Sequence, residues 1–349
     1  MRSSYRQEDV LFLLKDITGL VQPMASGARE RFIQSGRHYS EMLPLEYVPS
    51  AAYLEAYQEA LRHYAGPVAA AVGRLSEKIL SERGETAVLV SLARAGTPVG
   101  ILIKHYIKKK YSISFPHYSI SIIRGKGIDH NAMGYLLERY EPEQLLFVDG
   151  WIGKGAILRE LEKEISGYPN VSPELAVVSD PANMTSLCGT HEDLLIPSSC
   201  LNSTVSGLVS RTFLRSDLIG EDDFHGAVFY GELKEFDQSY EFLHAIEAEF
   251  KEEAEPEEVA VSGRGMDEVL EISRVFGIED INLIKPGIGE ATRVLLRRVP
   301  WKVLLRQDCK EDAALAHLLR LAEEKQVPVE LYPLHRYKAC GLIRKLADT

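Results

Sequence analysis

The chain has 349 residues, with 40 Lys and Arg against 51 Asp and Glu and a formal net charge of −11. Its 45% hydrophobic and 26% charged residues are the ordinary globular mix, which excludes a collagen, a coiled-coil rod and a wholly disordered chain. No apolar run reaches the ~18 residues of a membrane span. The start has acids inside its apolar stretch and no signal-peptide cleavage site. Four cysteines, Cys188, Cys200, Cys309 and Cys340, include no CxxC and argue against a disulfide framework or zinc knuckle. The expectation is a soluble, cytoplasmic chain of about two domains with no membrane partner.

In chain order, a turn-rich start gives way to two predicted helices, Ala51–Tyr64 and Pro67–Leu80, the second with proline in its first turn. Strands then alternate with helices: Ala87–Leu92, helix Pro98–Lys109, strand and loop over Tyr111–Ile123, helix Asn131–Tyr140, strand Gln144–Asp149, helix Gly155–Ile165 and strand Leu175–Ser179. Such alternation predicts a parallel sheet wrapped by helices. A charged run, KEEAEPEE at 251–258, reads as a linker after a first domain of residues 1–250. A second α/β domain, 259–349, follows: strand Glu258–Val261, helix Met266–Phe276, strand Ile281–Ile284, helix Gly289–Arg298, strand Lys302–Leu305, helix Ala313–Lys325 and strand Pro328–Tyr332. Residues 256–349 hold 15 basic and 15 acidic side chains, so the net charge sits in the first 255 residues.

Ligands of open α/β sheets bind beyond the carboxyl ends of the strands, where helix N-termini offer free N–H groups. Three such loops stand out. In the first, Arg94 stands among small residues, Ala95, Gly96 and Thr97, as an anion cradle would need. In the second, Asp149 and Gly150 precede a turn at Gly153, Lys154 and Gly155; its carboxylate suits a ribose hydroxyl or a magnesium-bound water, its glycines and lysine a phosphate. In the third, Asp180 ends a strand. Taken singly each is equally an N-cap; together they point to a phosphate ligand.

The stretches LVSLARAGTPVG and LLFVDGWIGKGAI resemble the diphosphate and phosphoribosyl-diphosphate loops of type I phosphoribosyltransferases, with Gly150 where a second acid and Lys154 where a threonine would stand. The whole chain resembles bacterial phosphoribosyltransferase-like proteins fused to a pelota-type RNA-binding domain and encoded with tellurite-resistance and stress-response genes, most specifically over Cys188–Thr212; that family is also labelled a cysteine protease. The resemblance implies a type I phosphoribosyltransferase-like sheet domain plus a small pelota-like domain. It implies phosphoribosyl transfer, with Asp149 and the basic loop residues Arg124 and Lys126 as catalytic groups. It also implies Mg2+ at Asp149 and Asp180, and a phosphoribosyl diphosphate or nucleotide-like partner. A homodimer is a further expectation.

Two alternatives remain open. One is thiol hydrolysis by Cys200, read as opening a helix that runs to about Arg211, with His191 or His225 as its base. The other is a nucleotide or RNA sensor without turnover, favoured by Gly150. In the second domain Lys285, Gly287, Gly289, Glu290, Arg293 and Arg297 form a glycine turn and a basic helix face suited to RNA phosphates, and resemble the RNA-contacting segment of the pelota and ribosomal-protein fold.

Overall fold

The apolar runs at 88–92, 145–148 and 175–178 have no polar face, which is what strands buried on both sides require. In a computed structural model describing residues 1–252, 263–309 and 311–345, they form the centre of a six-stranded, wholly parallel sheet. Its strands are β1 (Leu11–Phe12), β2 (Val88–Leu92), β3 (His117–Ile120), β4 (Leu145–Trp151), β5 (Leu175–Ser179) and β6 (Cys188–Thr190), in spatial order β1-β3-β2-β4-β5-β6. The short helix α1 (Ser26–Gln34) precedes the sheet helices. One face of the sheet carries α2 (Ala51–Arg83) and α3 (Gly96–Tyr111); the other carries α4 (His130–Leu137) and α5 (Ala156–Ile165); α6 (Ser239–Glu247) packs on α2 and α3. The fold is thus a mixed α/β one with a parallel sheet. The strand predicted at Glu258–Val261 and most of the 251–258 linker lie outside the described residues.

The C-terminal unit contains α7 (Gly265–Phe276), β7 (Ile284–Pro286), α8 (Ile288–Arg297), β8 (Pro300–Arg306), α9 (Ala316–Glu324), β9 (Val329–Tyr332) and β10 (Ala339–Ile343). Its sheet order is β7-β10-β8-β9, with β8 and β9 parallel and the other two pairs antiparallel. Ile281–Leu283, expected as the start of a strand, is a 3-10 turn, and β7 begins after it. Strand β10 escaped prediction because Ala-Cys-Gly-Leu-Ile has no period-two pattern; all five residues are buried.

Two helices predicted around Pro67 are one. Helix α2 runs through the proline for 33 residues, about 50 Å. Proline forfeits a single hydrogen bond to the fourth residue before it. Ala60, Leu61 and Ala65 before it and Val68, Ala71, Val72 and Leu75 after it are buried in one apolar cluster, which outweighs that loss. The same cluster takes in Ile288, Leu295, Leu315 and Leu318 of the C-terminal unit, so α2 is the spine between the two units. The helix expected from Cys200 to Arg211 does not form either; its first part is two 3-10 turns, Pro197–Cys200 and Ser203–Val205.

A buried ion cluster ties the edges of the first unit together. His105 of α3 lies 2.8 Å from Asp9 and 2.6 Å from Glu247 of α6. Although burial opposes it, these two carboxylates raise the imidazole to about 9. A histidine raised from about 6.5 stabilises the fold fully below pH 6.5 and loses that contribution as pH climbs through about 9. With partial exposure discounted, the term is worth about 2 kcal/mol. Urea unfolding at pH 7 and pH 10 should therefore show a larger loss for the native chain than for His105→Gln.

Candidate active site

Around the carboxyl end of β5 and the short edge strand β6 the structure assembles a cysteine, a histidine and an aspartate. Cys188 opens β6 and pairs in register with Val177, which faces Asp149 on the other side. The backbone of β6, an edge strand, is held by α2: Lys78 Nζ donates to the Cys188 carbonyl at 2.8 Å and Arg74 Nε to the Gly189 carbonyl at 2.7 Å. His191 follows the strand, and its Nε2 lies 3.4 Å from Cys188 Sγ. His191 Nδ1 is 3.1 Å from the Asp180 carbonyl oxygen and 3.8 Å from the Asp180 carboxylate. A carbonyl can only accept, so the proton on the neutral ring belongs on Nδ1 and Nε2 is left as the basic nitrogen, with the thiol beside the ring at 3.4 Å from Nε2 and 3.8 Å from Nδ1. Asp180 is itself fixed: its Oδ2 accepts from the backbone N–H of Met184 at 2.5 Å and of Thr185 at 2.8 Å. Burial raises its carboxyl above the ordinary range against these donors. Cys188 has no exposed surface, while the His191 side chain is 18% exposed, so the imidazole is the open side of the pair.

This is not the pair expected from the sequence. Cys200 sits in the 3-10 turn at Pro197–Cys200, fully buried, its carbonyl accepting from Tyr53 Oη at 2.8 Å. Burial pushes its thiol up to about 12, the reverse of what a nucleophile needs. No imidazole lies within hydrogen-bond distance of it among the described residues, and His191 serves Cys188 instead. The signal that could have found the pair is the Cys-Gly-Thr-His spacing at a strand end, with Asp180 ending the neighbouring strand.

Of the residues expected to hold a phosphoribosyl group, Arg94, Ala95, Asp149, Gly153, Lys154 and Gly155 line a different feature, a cleft of about 1280 Å3 between the two units, and Gly96, Thr97 and Gly150 lie behind it. Most are already engaged. Arg94 donates to the Val209 carbonyl at 2.9 Å and lies 3.6 Å from Glu46. Gly96 is where α3 touches the β4 backbone, and Thr97 is buried against Ser119 at 2.8 Å; Ala95 stands opposite Gly150. Lys154 does not aim at a ligand: its ammonium donates to the carbonyls of Ile281 and, at 2.8 Å, of Ile284, pinning the C-terminal unit, and burial lowers it to about 7. Gly153 abuts Glu290 and Pro286, and Gly155, at φ +76°, abuts Met184. Burial pushes the Asp149 carboxyl up to about 6, and its Oδ1 accepts from Gly150 N at 2.7 Å. Arg124 and Lys126 sit on a small hairpin, Ile122–Ile123 with Gly127–Ile128, rather than on a free loop; Arg124 donates to Asn282 at 2.6 Å and Gly125 N to Glu160 at 2.7 Å, while Lys126 is exposed. Asp149 and Asp180 share no cluster of three or more metal-binding side chains among the described residues, and both spend an oxygen on backbone N–H groups. The residues do not fit a magnesium centre, and no step is routed through one.

The expected RNA-contacting residues are turned inward. Gly287 approaches Asp193, Gly289 lies against Trp151 and Ser199, Glu290 sits beside Gly153, and Arg293 stacks over Trp151 at 4.3 Å. Lys285, Arg293 and Arg297 line the cleft.

Residues 3–247 match the family model of the tellurite-like stress resistance cysteine protease StiP. The chain is also 37% identical over 365 residues to the cysteine protease StiP of Acinetobacter baylyi, an alignment covering 98% of this chain and 94% of the relative. The chain belongs to the StiP family. Residues 263–345, the C-terminal unit, match the PELOTA RNA binding domain. These matches overturn the expectation of phosphoribosyl transfer. The family and the relative are both named for cysteine proteolysis, which is hydrolysis and not glycosyl transfer, and nothing in them supports a phosphoribosyl diphosphate or nucleotide partner. Among the described residues, no helix is long and apolar enough to cross a membrane.

Proposed function

We propose that the chain is a cysteine peptidase in which Cys188 is the nucleophile, His191 its base and Asp180 the group that orients the imidazole. The observation that carries this is the 3.4 Å approach of His191 Nε2 to Cys188 Sγ, with Nδ1 held by the Asp180 carbonyl oxygen at 3.1 Å. Nε2 takes the thiol proton, and the thiolate adds to a peptide carbonyl. As the C–N bond breaks, the imidazolium returns the proton to the leaving amine and an acyl-thioester remains. Water, deprotonated by the same nitrogen, then releases the acid and restores the thiol. The name of the Acinetobacter relative supports the reaction class, and the Asp180 carbonyl at 3.1 Å from Nδ1, with its carboxylate 3.8 Å away, supports the roles. The C-terminal unit binds RNA, as its family description supports.

The thiols themselves test the assignment. All four cysteines are buried thiols outside any disulfide, but only Cys188 has an imidazole within hydrogen-bond distance among the described residues. Iodoacetamide at neutral pH, followed by peptide mass mapping, should modify Cys188 ahead of Cys200, and peptidase activity should fall in step with Cys188 modification. Modification of Cys200 first, with activity lost in step, would reverse the assignment.

A further inference from the structure

The cleft between the units concentrates positive charge in an acidic protein. Among the described residues twelve Lys and Arg line it against four Asp and Glu, in a chain that totals 40 against 51. Six of the twelve come from each unit. Several are packed close enough to repel one another. Burial and the neighbouring Arg29 lower Arg211 to about 9, and Arg94 lowers Arg297 further after burial has done so. Nε of Arg29, Arg211 and Arg293 and one terminal nitrogen of Arg297 are buried without a hydrogen-bond partner among the described residues. Desolvated guanidinium N–H groups left unpaired cost free energy unless an acceptor arrives. Aromatic rings stand among them: Tyr39 lies under Arg211 at 4.4 Å, Trp151 under Arg293, and Phe276 and Trp301 form part of the wall. The cleft exceeds the ~300–1,000 Å3 that suffices for a small ligand.

We propose that this cleft is an RNA-binding channel to which the StiP unit contributes half of the basic groups, so that RNA is held between the two units rather than on the C-terminal unit alone. The proposal rests on the C-terminal unit's RNA-binding reading and goes beyond it in assigning Arg29, Arg37, Arg94, Arg124 and Arg211 to the polymer. It also accounts for the inward aim of Lys285, Arg293 and Arg297, which could not serve RNA from the outer surface. Phosphates pair with the guanidinium groups, and unstacked bases have aromatic faces to lie on.

The test is RNA binding by the full chain, measured by fluorescence anisotropy with a labelled stem-internal-loop RNA across a salt series. Arg211→Ala and Arg124→Ala should each weaken binding by about tenfold and flatten the logarithmic salt slope by roughly 0.7 for each phosphate contact removed. Arg37→Glu, at the exposed rim and paired only loosely with Glu41 at 3.5 Å, should do the same without touching the packed interior, and guards against misfolded variants. Unchanged affinity in all three variants would overturn the proposal while leaving RNA binding by the C-terminal unit standing. Absence of any RNA binding by the native chain at low salt would overturn both. Binding of inorganic tripolyphosphate with none of RNA would show a small-anion site and overturn the proposal as well.

Discussion

Replacing Cys188 by Ala should abolish hydrolysis of a fluorogenic casein, whereas Cys200→Ala should leave turnover within a few-fold of the native chain. Loss of a nucleophile or its base commonly costs a factor of about 10^3 to 10^6 in kcat, and the two losses do not add. His191→Ala should therefore fall as far as Cys188→Ala, and the double variant no further. Asp180 acts one bond away, through the ring it orients, so Asp180→Asn should keep more activity than either. Cys200 acts on stability instead. Its side chain has no exposed surface and packs in the apolar cluster beneath α2. Cys200→Ser places a hydroxyl there and should cost about 1–3 kcal/mol in urea unfolding. Activity therefore separates the two cysteines: Cys188→Ala removes it in a folded chain, whereas the Cys200 variants keep it whatever they lose in stability. Activity that survives Cys188→Ala would end the assignment, and activity lost with Cys200→Ser at unchanged stability would move the nucleophile to Cys200.

Much of the architecture was legible from the chain. Runs such as Leu145–Val148 are apolar on both faces, and only a sheet covered on both sides accommodates them. Strand Leu175–Ser179 falls where its pattern placed it. What failed depended on tertiary contacts. Pro67 looks like a boundary until the apolar side chains on either side are seen packed in one cluster. Lys154, in a glycine turn after an acid, looks like a phosphate ligand until the carbonyls of Ile281 and Ile284, more than 120 residues away, are found under its ammonium. Cys200 draws attention in the sequence because its neighbours read as a helix start, while Cys188 has no local pattern that marks it. Which sulfur meets an imidazole is decided by strand register: pairing of Val177 with Cys188 puts the thiol one strand from Asp180 and three residues from His191. The orientation of α8 was beyond reach too. A basic helix face reads as solvent-facing, and only the docking of the two units turns it into the cleft.

That docking turns in part on a buried carboxylate, and removing it should be costly. Asp193 lies two residues after His191, is 6% exposed, and crosses to the C-terminal unit. Its carboxylate accepts from Ile288 N, at the start of α8, at 3.1 and 3.2 Å, and from Lys338 N at 2.8 Å. A negative charge at a helix N-terminus is favourable, and both N–H groups would otherwise be buried without an acceptor. Asp193→Ala should therefore destabilise the chain by about 2–4 kcal/mol, more than most single substitutions. Asp193→Asn, which keeps one acceptor oxygen, should lose roughly half as much. The same carboxyl is held up at about 6 by burial, against the pull of these donors. An acid with a raised folded pKa contributes stability that is present below its unfolded value near 3.8 and is lost as pH rises through about 6. From this group alone, the native chain should gain stability on acidification from pH 7 to pH 5, and Asp193→Ala should lack that gain. Urea unfolding of the three proteins at the two pH values reads both effects. A destabilisation under about 0.5 kcal/mol for Asp193→Ala would mean that the units are held by α2 and their shared apolar cluster, with Asp193 contributing little.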